Sequence, residues 1–255
     1  MTGREDAVLT LSEVHKSYRA PGLFGTAVIP ALRGVSFELV RGEVAGLLGL
    51  NGAGKTTIMK LATGLLFPGS GSISVFGMPP SDMRAKKRVG YLPELPYFYP
   101  SSTAAESLRY YAGLSGLGGA ELDRRVSEVI EKVGLSPHAR KKASEFSKGM
   151  MQRLGIAQAV VHDPDLLILD EPVSGLDPLA IHDIRVLISE LNGSGKTVFL
   201  SSHSISELEK LSGRVFIMVQ GALVRTVERR EWESSSGGLE GIFVNTVKGG
   251  GPGGA

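Results

Sequence analysis

Apolar residues recur along the chain with two different periods, which predict alternating strands and helices. Between several short apolar runs, apolar residues return every three or four positions, as on the buried face of a helix. The short runs themselves predict strands, and they lie at 7–14, 35–40, 44–48, 73–76, 89–92, 166–169, 197–201, 215–219 and 222–226. Strands that alternate with helices predict an α/β fold, with a mainly parallel sheet and helices on its faces.

The stretch at 95–159 interrupts this alternation, because its pattern is helical throughout. One predicted helix ends at Gly134, a residue suited to a C-terminal cap, and a second runs from Gly149 to Val161. We therefore predict a helical subdomain at 95–159, inserted between two parts of an α/β core at 5–94 and 160–230. The apolar residues that share one face of the first helix are Leu122, Val126, Val129, Ile130 and Val133.

Two other segments are predicted to lack regular structure. The stretch from Arg19 to Pro30 holds Pro21, Gly22, Gly25 and Pro30, which indicate a loop. Residues 231–255 form a C-terminal extension rich in glycine and serine. Within it we expect a flexible linker at 234–238 and a frayed end from Gly249 onward.

Composition excludes several classes of protein. The 255 residues are 42% hydrophobic and 21% charged, which is typical of a globular domain. The net charge of +2 gives no electrostatic reason to expect a nucleic-acid partner, and the lack of cysteine excludes disulfides and thiolate metal sites. No run of about 18 apolar residues could span a membrane, and the charged N-terminus does not resemble a signal peptide. We expect a cytoplasmic location.

The most informative motif follows the apolar run at 44–48 and precedes a predicted helix. Its spacing, Gly, four residues and Gly-Lys-Thr, is that of a phosphate-binding loop. Its glycines allow the backbone to approach a triphosphate, and the helix N-terminus adds positive potential. We expect Lys55 to reach the β- and γ-phosphates and Thr56 to ligate Mg²⁺. The residues predicted to contact the nucleotide here are Gly49, Leu50, Asn51, Gly52, Ala53, Gly54, Lys55, Thr56 and Thr57.

Two carboxylates stand at the end of the buried strand at 166–169. Ligands of open α/β sheets bind at the carboxyl ends of the strands, so Asp170 and Glu171 should face the same crevice as Lys55. Asp170 is suited to hold Mg²⁺, directly or through water. Glu171, one residue further on, is placed to take a proton from an attacking water.

A second candidate anion site lies at Phe146-Ser147-Lys148-Gly149-Met150. Ser147 is a natural N-cap, and Gly149 permits close backbone approach at the positive end of a helix. On its own, the segment favours a capped helix that binds nothing.

Taken together and in this order, the motifs resemble the nucleotide-binding subunit of an ABC transporter over nearly all of residues 5–230. The resemblance rests on the phosphate loop, the Ser-x-Gly signature at 147–149, the Asp170-Glu171 strand end, the Ser-Gly-Leu-Asp segment at 174–177, and His203. It implies a P-loop NTPase core with an N-terminal antiparallel β part and an inserted α-helical subdomain. It also implies an ATPase that uses ATP and Mg²⁺.

The resemblance assigns further roles. Ser147 and Gly149 contact the γ-phosphate of ATP held by the other subunit of a head-to-tail dimer, and Asp177 lies at that interface. His203 resembles the switch histidine that senses the γ-phosphate. Tyr18 matches the aromatic residue that stacks on adenine.

The chain departs from the family pattern at three places. The signature reads Phe-Ser-Lys-Gly-Met instead of Leu-Ser-Gly-Gly-Gln. Glu94 replaces the usual glutamine, where it could still ligate Mg²⁺ while adding charge. The predicted loop from Arg19 to Pro30 is longer than usual, which affects the surroundings of Tyr18.

The sequence around the signature, together with Glu94, is similar to that of ATP-binding subunits of the bacterial exporter branch. This similarity implies an ATP-driven subunit that lies on the inner face of the cell membrane and drives export through separate membrane-spanning subunits. The aromatic-rich stretch from Leu95 to Tyr111 suits docking to such a partner or core packing. The alternative is a soluble ABC ATPase without a transport role. A GTPase is excluded, because the chain has no Asn-Lys-x-Asp motif. A homodimer and a heterodimer both remain open.

Overall fold

The protein folds into two β-sheets with helices around them. Its structure is a computed structural model, which describes residues 6–22 and 25–249. The strands are β1 (Ala7–Gly22), β2 (Gly25–Val40), β3 (Val44–Leu48), β4 (Ser70–Val75), β5 (Val89–Leu92), β6 (Leu166–Asp170), β7 (Thr197–Ser202), β8 (Arg214–Val219) and β9 (Ala222–Glu228). The helices are α1 (Lys55–Ala62), α2 (Met83–Lys86), α3 (Ala104–Leu114), α4 (Gly119–Lys132), α5 (Lys148–Val160), α6 (Pro178–Gly193), α7 (Ile205–Leu211), α8 (Arg229–Ser234) and α9 (Gly238–Gly249).

The larger sheet has six strands in the order β5-β6-β7-β3-β8-β9. Its first five strands are parallel, and β9 pairs with β8 antiparallel at the edge. Every residue of β6 and β7 is buried, which explains the apolar run without alternation in β6. The smaller sheet, β2-β1-β4, is antiparallel. These two sheets confirm the predicted fold class, a mainly parallel core with an N-terminal antiparallel part.

The register of the larger sheet aligns the ends of three central strands. Asp170 pairs with Ser201 across β6 and β7, and Leu48 pairs with Ser202 across β3 and β7. The segments that follow these strands therefore begin at the same edge of the sheet, which is where open α/β sheets bind ligands.

Two hydrophobic clusters cover the larger sheet. One lies between this sheet and the smaller one, where the rings of Phe37 and Phe216 are 4.5 Å apart and Phe199 packs against both. The other includes residues of α3, α4, α5 and α6. The helical character predicted for 95–159 is therefore present as three helices that contact one another.

The predicted loop from Arg19 to Pro30 is wrong, because its described part belongs to a long β-hairpin. Strands β1 and β2 pair antiparallel out to Gly22 and Gly25, and residues 23–24 lie outside the described ranges. The side chains at 17–19 and 27–30, whose burial is described, are all exposed, so this part of the hairpin has no buried face to give an alternating pattern. Strand β4 pairs only with the inner part of β1. The outer β1 and all of β2 are therefore edges, where proline is tolerated.

The predicted helix boundaries are confirmed where capping residues marked them. Gly134 follows α4 with a φ of 69°, the left-handed conformation of a C-terminal cap. The carboxylate of Asp177 accepts hydrogen bonds from the backbone N–H groups of Leu179 and Ala180, and Pro178 opens α6.

The flexible linker predicted at 234–238 is also wrong. It is a short turn between α8 and α9, and the two helices are anchored by Trp232, Leu239 and Ile242, which are buried in the core. The small residues reflect a tight turn with Gly238 at a φ of 58°. Residues 250–255, where the frayed end was predicted, lie outside the described part. Among the helices of residues 6–22 and 25–249, none has the length and apolar character needed to cross a membrane.

Candidate active site

The loop between β3 and α1 places its backbone where no side chain would fit. Gly54 has a φ of 102°, and a Cβ on it would lie 2.7 Å from the carbonyl oxygen of Ala31. A Cβ on Gly49 would lie 2.7 Å from the carbonyl oxygen of Met218. Glycine is therefore required at both ends of the loop, for its conformation at Gly54 and for space at both positions. The loop leads directly into the N-terminus of α1, which favours an anion.

Lys55 connects this loop to the end of β6. Only 7% of the residue is exposed, and its Nζ donates a 2.7 Å hydrogen bond to the carbonyl oxygen of Gly49. The same Nζ lies 3.3 Å from Oε1 of Glu171. A buried ammonium group needs such partners, because an unpaired charge in the interior is strongly destabilising. A phosphate in the loop would compete with Glu171 for this ammonium group.

Glu171 is held in an uncommon backbone conformation, with a φ of 50°. Its backbone N–H donates to Oγ of Ser201 at 2.9 Å, and its carboxylate lies between Lys55 and Nδ1 of His203, 2.8 Å from the latter. Left-handed conformations cost a non-glycine residue roughly 1–2 kcal/mol and are frequent at functional sites. The carboxylate of Glu171, directly after β6, therefore contacts both Lys55 and His203.

Asp170 provides the strongest sign of a metal site. Its Oδ1 accepts a 2.6 Å hydrogen bond from Oγ of Ser201, whereas its Oδ2 is buried and has no partner among the described residues. Burial raises the pKa of the nearby Tyr91 hydroxyl to about 12, and the charge of Asp170 adds to the shift. A buried carboxylate oxygen without a partner is costly, and a divalent cation or its bound water would satisfy it.

The protein ligands available for Mg²⁺ are few. Within the described ranges, no three His, Cys, Asp or Glu residues are grouped closely enough to hold a metal by themselves. Mg²⁺ usually binds one or two carboxylates, substrate phosphates and water. The predicted set of Thr56, Asp170 and Glu94 fits such a shared site, in which the nucleotide would supply further oxygen ligands.

One cavity of about 740 Å³ brings most of the predicted residues together. It is lined by the loop residues 50–57 together with Tyr18, Glu94, Glu171 and His203. Gly49 does not line this cavity, but its carbonyl oxygen accepts a hydrogen bond from Lys55. Asp170 does not line it either and is only 1% exposed.

Tyr18 reaches the cavity from the hairpin that the sequence did not predict. Its side chain is 40% exposed, and its hydroxyl lies 3.3 Å from Oγ1 of Thr57. Nζ of Lys16 lies 5.9 Å from the centre of the Tyr18 ring. The ring is therefore available to a flat ligand beside the loop.

The signature segment lies outside this cavity. Ser147 caps α5 by accepting a 3.2 Å hydrogen bond from the N–H of Met150, as predicted. Gly149 faces α6, where a Cβ would lie 3.2 Å from that of Ala180. Of the residues that the structure describes, neither of these two nor Asp177 lines the cavity that contains Lys55.

Three residues at the site were not predicted as site residues. Ala31 and Ser174 line the cavity, and Ser201 holds both acidic residues through one hydroxyl. Ser174 belongs to the Ser-Gly-Leu-Asp segment, and Ser201 directly precedes the Ser-His pair. The positions of both serines relative to these motifs could therefore have indicated that they belong to the site. Nothing in the sequence indicates that Ala31 belongs to the site, because it follows the segment predicted to be a loop.

Comparison with known proteins gives consistent matches. Residues 32–174, more than half of the chain, match the family described as "ABC transporter". An uncharacterized ABC transporter ATP-binding protein of Nostoc is 43% identical over 225 residues, which cover 88% of this chain and 67% of that protein. A fluoroquinolones export ATP-binding protein of Mycobacterium tuberculosis is 36% identical, with 94% and 84% covered. The chain spans only 60% of another matched relative, from Synechocystis.

Solved structures match over most of the chain as well. An ATP-binding subunit of an ABC transporter has a TM-score of 0.80 and 31% identity, covering 94% of this chain and 99% of that one. A dimeric ATP-binding cassette in a post-hydrolysis state, bound to ADP and phosphate, has a TM-score of 0.78 and 25% identity, with 87% and 99% covered.

Proposed function

The chain belongs to the ABC transporter family as an ATP-binding subunit with an ATPase domain, and from this premise we propose that it drives export through separate membrane-spanning subunits. Two copies, or one copy and a related chain, would close head to tail around ATP and reopen after hydrolysis.

One observation carries the proposal of a shared site: Ser147 and Gly149 lie outside the cavity that holds Lys55 and Glu171. A chain arranged in this way binds the triphosphate with its loop and offers its signature to a second chain. The solved dimeric cassette with ADP and phosphate, which has a related fold, supports the proposal of a site shared by two chains. Asp177, exposed at the start of α6, would lie at the interface between the two chains.

The contacts of Glu171 suggest how hydrolysis would begin. When the γ-phosphate occupies the loop, it draws the ammonium group of Lys55 away from the Glu171 carboxylate. Glu171 then loses a counter-charge and becomes a stronger base for the proton of the attacking water. His203 would keep this carboxylate oriented through its 2.8 Å contact. Thr56, Asp170 and Glu94 would hold Mg²⁺, which neutralises phosphate charge when it is bound.

An exposed aromatic patch supports the proposal of membrane subunits. Tyr97, Tyr99 and Tyr110 expose 74%, 63% and 53% of their surface, whereas Phe98 is buried and packs edge-on against the Tyr111 ring at 5.8 Å. Core packing therefore holds for Phe98, whereas the three exposed tyrosines remain available for docking. Exposed tyrosines next to Glu94 suit a docking surface, because aromatic residues are enriched where proteins bind each other.

Copurification from the native host tests the transport role. Tagged protein extracted in detergent should bring down an integral membrane protein in fixed stoichiometry. Replacing both Tyr97 and Tyr99 by Ser should abolish this association and leave ATP binding intact. Phe67→Ser, which removes an aromatic ring that is 67% exposed elsewhere, is the matched control and should change nothing. Absence of any membrane partner for the wild-type protein would favour the soluble ABC ATPase instead.

A further inference from the structure

A buried hydroxyl group connects the two acidic residues at the end of β6. Ser201 lies on β7, which pairs with β6 so that Ser201 stands opposite Asp170. The residue is 0% exposed, and the three residues before it, at 198–200, are apolar and buried. A hydroxyl group in such a position is unfavourable unless hydrogen bonds replace those it would make to water. The partners of Ser201 therefore indicate why a serine is accommodated there.

The hydroxyl group of Ser201 has one proton, and its partners determine where that proton points. Its Oγ lies 2.6 Å from Oδ1 of Asp170 and 2.9 Å from the backbone nitrogen of Glu171. An ionised carboxylate can only accept hydrogen bonds, and a backbone N–H can only donate them. Ser201 therefore donates to Asp170 and accepts from Glu171. One hydroxyl group thus connects the side chain of the first acid to the backbone of the second.

On Asp170, this hydrogen bond distinguishes the two carboxylate oxygens. Oδ1 is bound by Ser201, whereas the buried Oδ2 has no partner among the residues that the structure describes. The bond restricts rotation of the carboxylate about its Cβ–Cγ bond and leaves Oδ2 for Mg²⁺ or for a water bound to it. Carboxylates that ligate metals are commonly oriented by hydrogen bonds of this kind.

Glu171 is held at two points by the end of β7 and the residue that follows it. Ser201 binds the backbone N–H of Glu171, whose φ of 50° is uncommon for a residue other than glycine. Nδ1 of His203 contacts Oε2 of the carboxylate at 2.8 Å. The backbone conformation determines the direction in which the side chain leaves the chain. Loss of the Ser201 bond would therefore displace the carboxylate even if His203 stayed in place.

We propose that Ser201 is a positioning residue that couples the Mg²⁺ ligand Asp170 to the base Glu171. The inference rests on the proposed function, which assigns these two roles to the acids. Ser201 does not line the nucleotide cavity and acts through its two partners. Its hydroxyl group keeps Oδ2 of Asp170 available to the metal and keeps the backbone of Glu171 in the conformation that directs the base toward the attacking water.

The metal dependence of nucleotide binding tests this role without hydrolysis. A non-hydrolysable ATP analogue is titrated in EDTA and at increasing concentrations of Mg²⁺. Ser201→Ala should bind the analogue in EDTA as the wild type does, because the phosphate loop and Lys55 are unchanged. The Mg²⁺ concentration that gives half of the metal-dependent gain in affinity should rise about 10- to 100-fold, the usual effect of removing a group that orients a metal ligand.

Three further variants separate the hydroxyl group from packing. Ser201→Thr keeps the hydroxyl group and should keep the Mg²⁺ dependence of the wild type. Ser201→Val has the shape of the threonine variant without its hydroxyl group, and it should behave as Ser201→Ala does. Ser212→Ala removes a hydroxyl group that is equally buried and has no partner in residues 6–22 and 25–249. It should change neither the affinity in EDTA nor the Mg²⁺ dependence.

Hydrolysis of ATP at saturating Mg²⁺ tests the effect on the base. Excess metal compensates for a poorly oriented Asp170, but it does not correct a displaced Glu171. The kcat of Ser201→Ala should therefore stay below that of the wild type, by up to about 10²-fold, which is the cost of a misplacement of about 1 Å. Recovery of the wild-type kcat at saturating Mg²⁺ would overturn the coupling between the two acids.

The remaining outcomes distinguish this inference from the proposed function. A wild-type Mg²⁺ dependence of Ser201→Ala would overturn the positioning role and leave the proposed function intact. The same conclusion follows if Ser201→Thr and Ser201→Val show the same Mg²⁺ dependence, because the hydroxyl group would then have no part in it. Failure of the wild-type protein to bind the analogue at any Mg²⁺ concentration would instead overturn the proposed function together with this inference.

Discussion

At the scale of single residues, the candidate site centres on one carboxylate that contacts both Lys55 and His203. Glu171 contacts a lysine that also binds the phosphate loop and a histidine that follows the neighbouring strand. Lys55 balances the charge of Glu171 in this structure, and in the proposed mechanism a bound phosphate would compete for that lysine. The spacing of the sequence motifs suggested Lys55 and Glu171, because both follow recognisable patterns. Ser201 also stands at a recognisable position, directly before the Ser-His pair, but the sequence does not indicate that its hydroxyl contacts both acidic residues.

Glu171→Gln should separate binding from hydrolysis. The amide keeps the shape of the side chain but cannot accept the proton of the attacking water, so we expect hydrolysis to fall by about 10²- to 10⁴-fold. Binding of MgATP should persist and trap a dimer on sizing chromatography. Glu190→Gln, at an exposed glutamate of α6, is the control and should hydrolyse normally. Normal turnover by Glu171→Gln would remove this residue from the mechanism.

At the scale of secondary structure, the sequence predicted buried elements well and exposed ones poorly. Strands β6 and β7 and helices α4, α5 and α6 have apolar residues dictated by the core, so their patterns are clear. The outer hairpin of β1 and β2 is stabilised mainly by backbone pairing, which leaves no apolar period. Helices α8 and α9 are short and separated by small residues, and composition alone suggested a linker.

The C-terminal helices should contribute measurably to stability, in contrast to a flexible tail. Trp232 is 4% exposed and packs in the core together with Leu239. Trp232→Ala should lower the free energy of unfolding by about 3–5 kcal/mol, because it leaves a large cavity. Glu233→Ala, at the exposed neighbour, should change it by less than about 0.5 kcal/mol. Urea denaturation measures both, and equal stability of the two variants would show that α8 is not anchored.

At the scale of the whole molecule, the signature lies outside the cavity of the phosphate loop, and we propose that the two form complementary halves of a shared ATP site. The phosphate loop, Glu171 and His203 share one cavity. Ser147 lines a different, smaller cavity, and Gly149 faces Ala180 of α6. The resemblance to the family implies that Ser147 and Gly149 contact ATP that is held by a second chain.

Mixing two inactive variants tests the shared site most directly. Lys55→Ala removes the main counter-charge of the phosphates, and Ser147→Arg blocks the signature, so neither variant should hydrolyse ATP alone. A mixed dimer joins the intact loop of one chain to the intact signature of the other, and hydrolysis should return on mixing. Ser144→Arg, at a nearby exposed serine, should stay active. A mixture as inactive as its components, or full activity of Ser147→Arg alone, would contradict a site completed by a second chain.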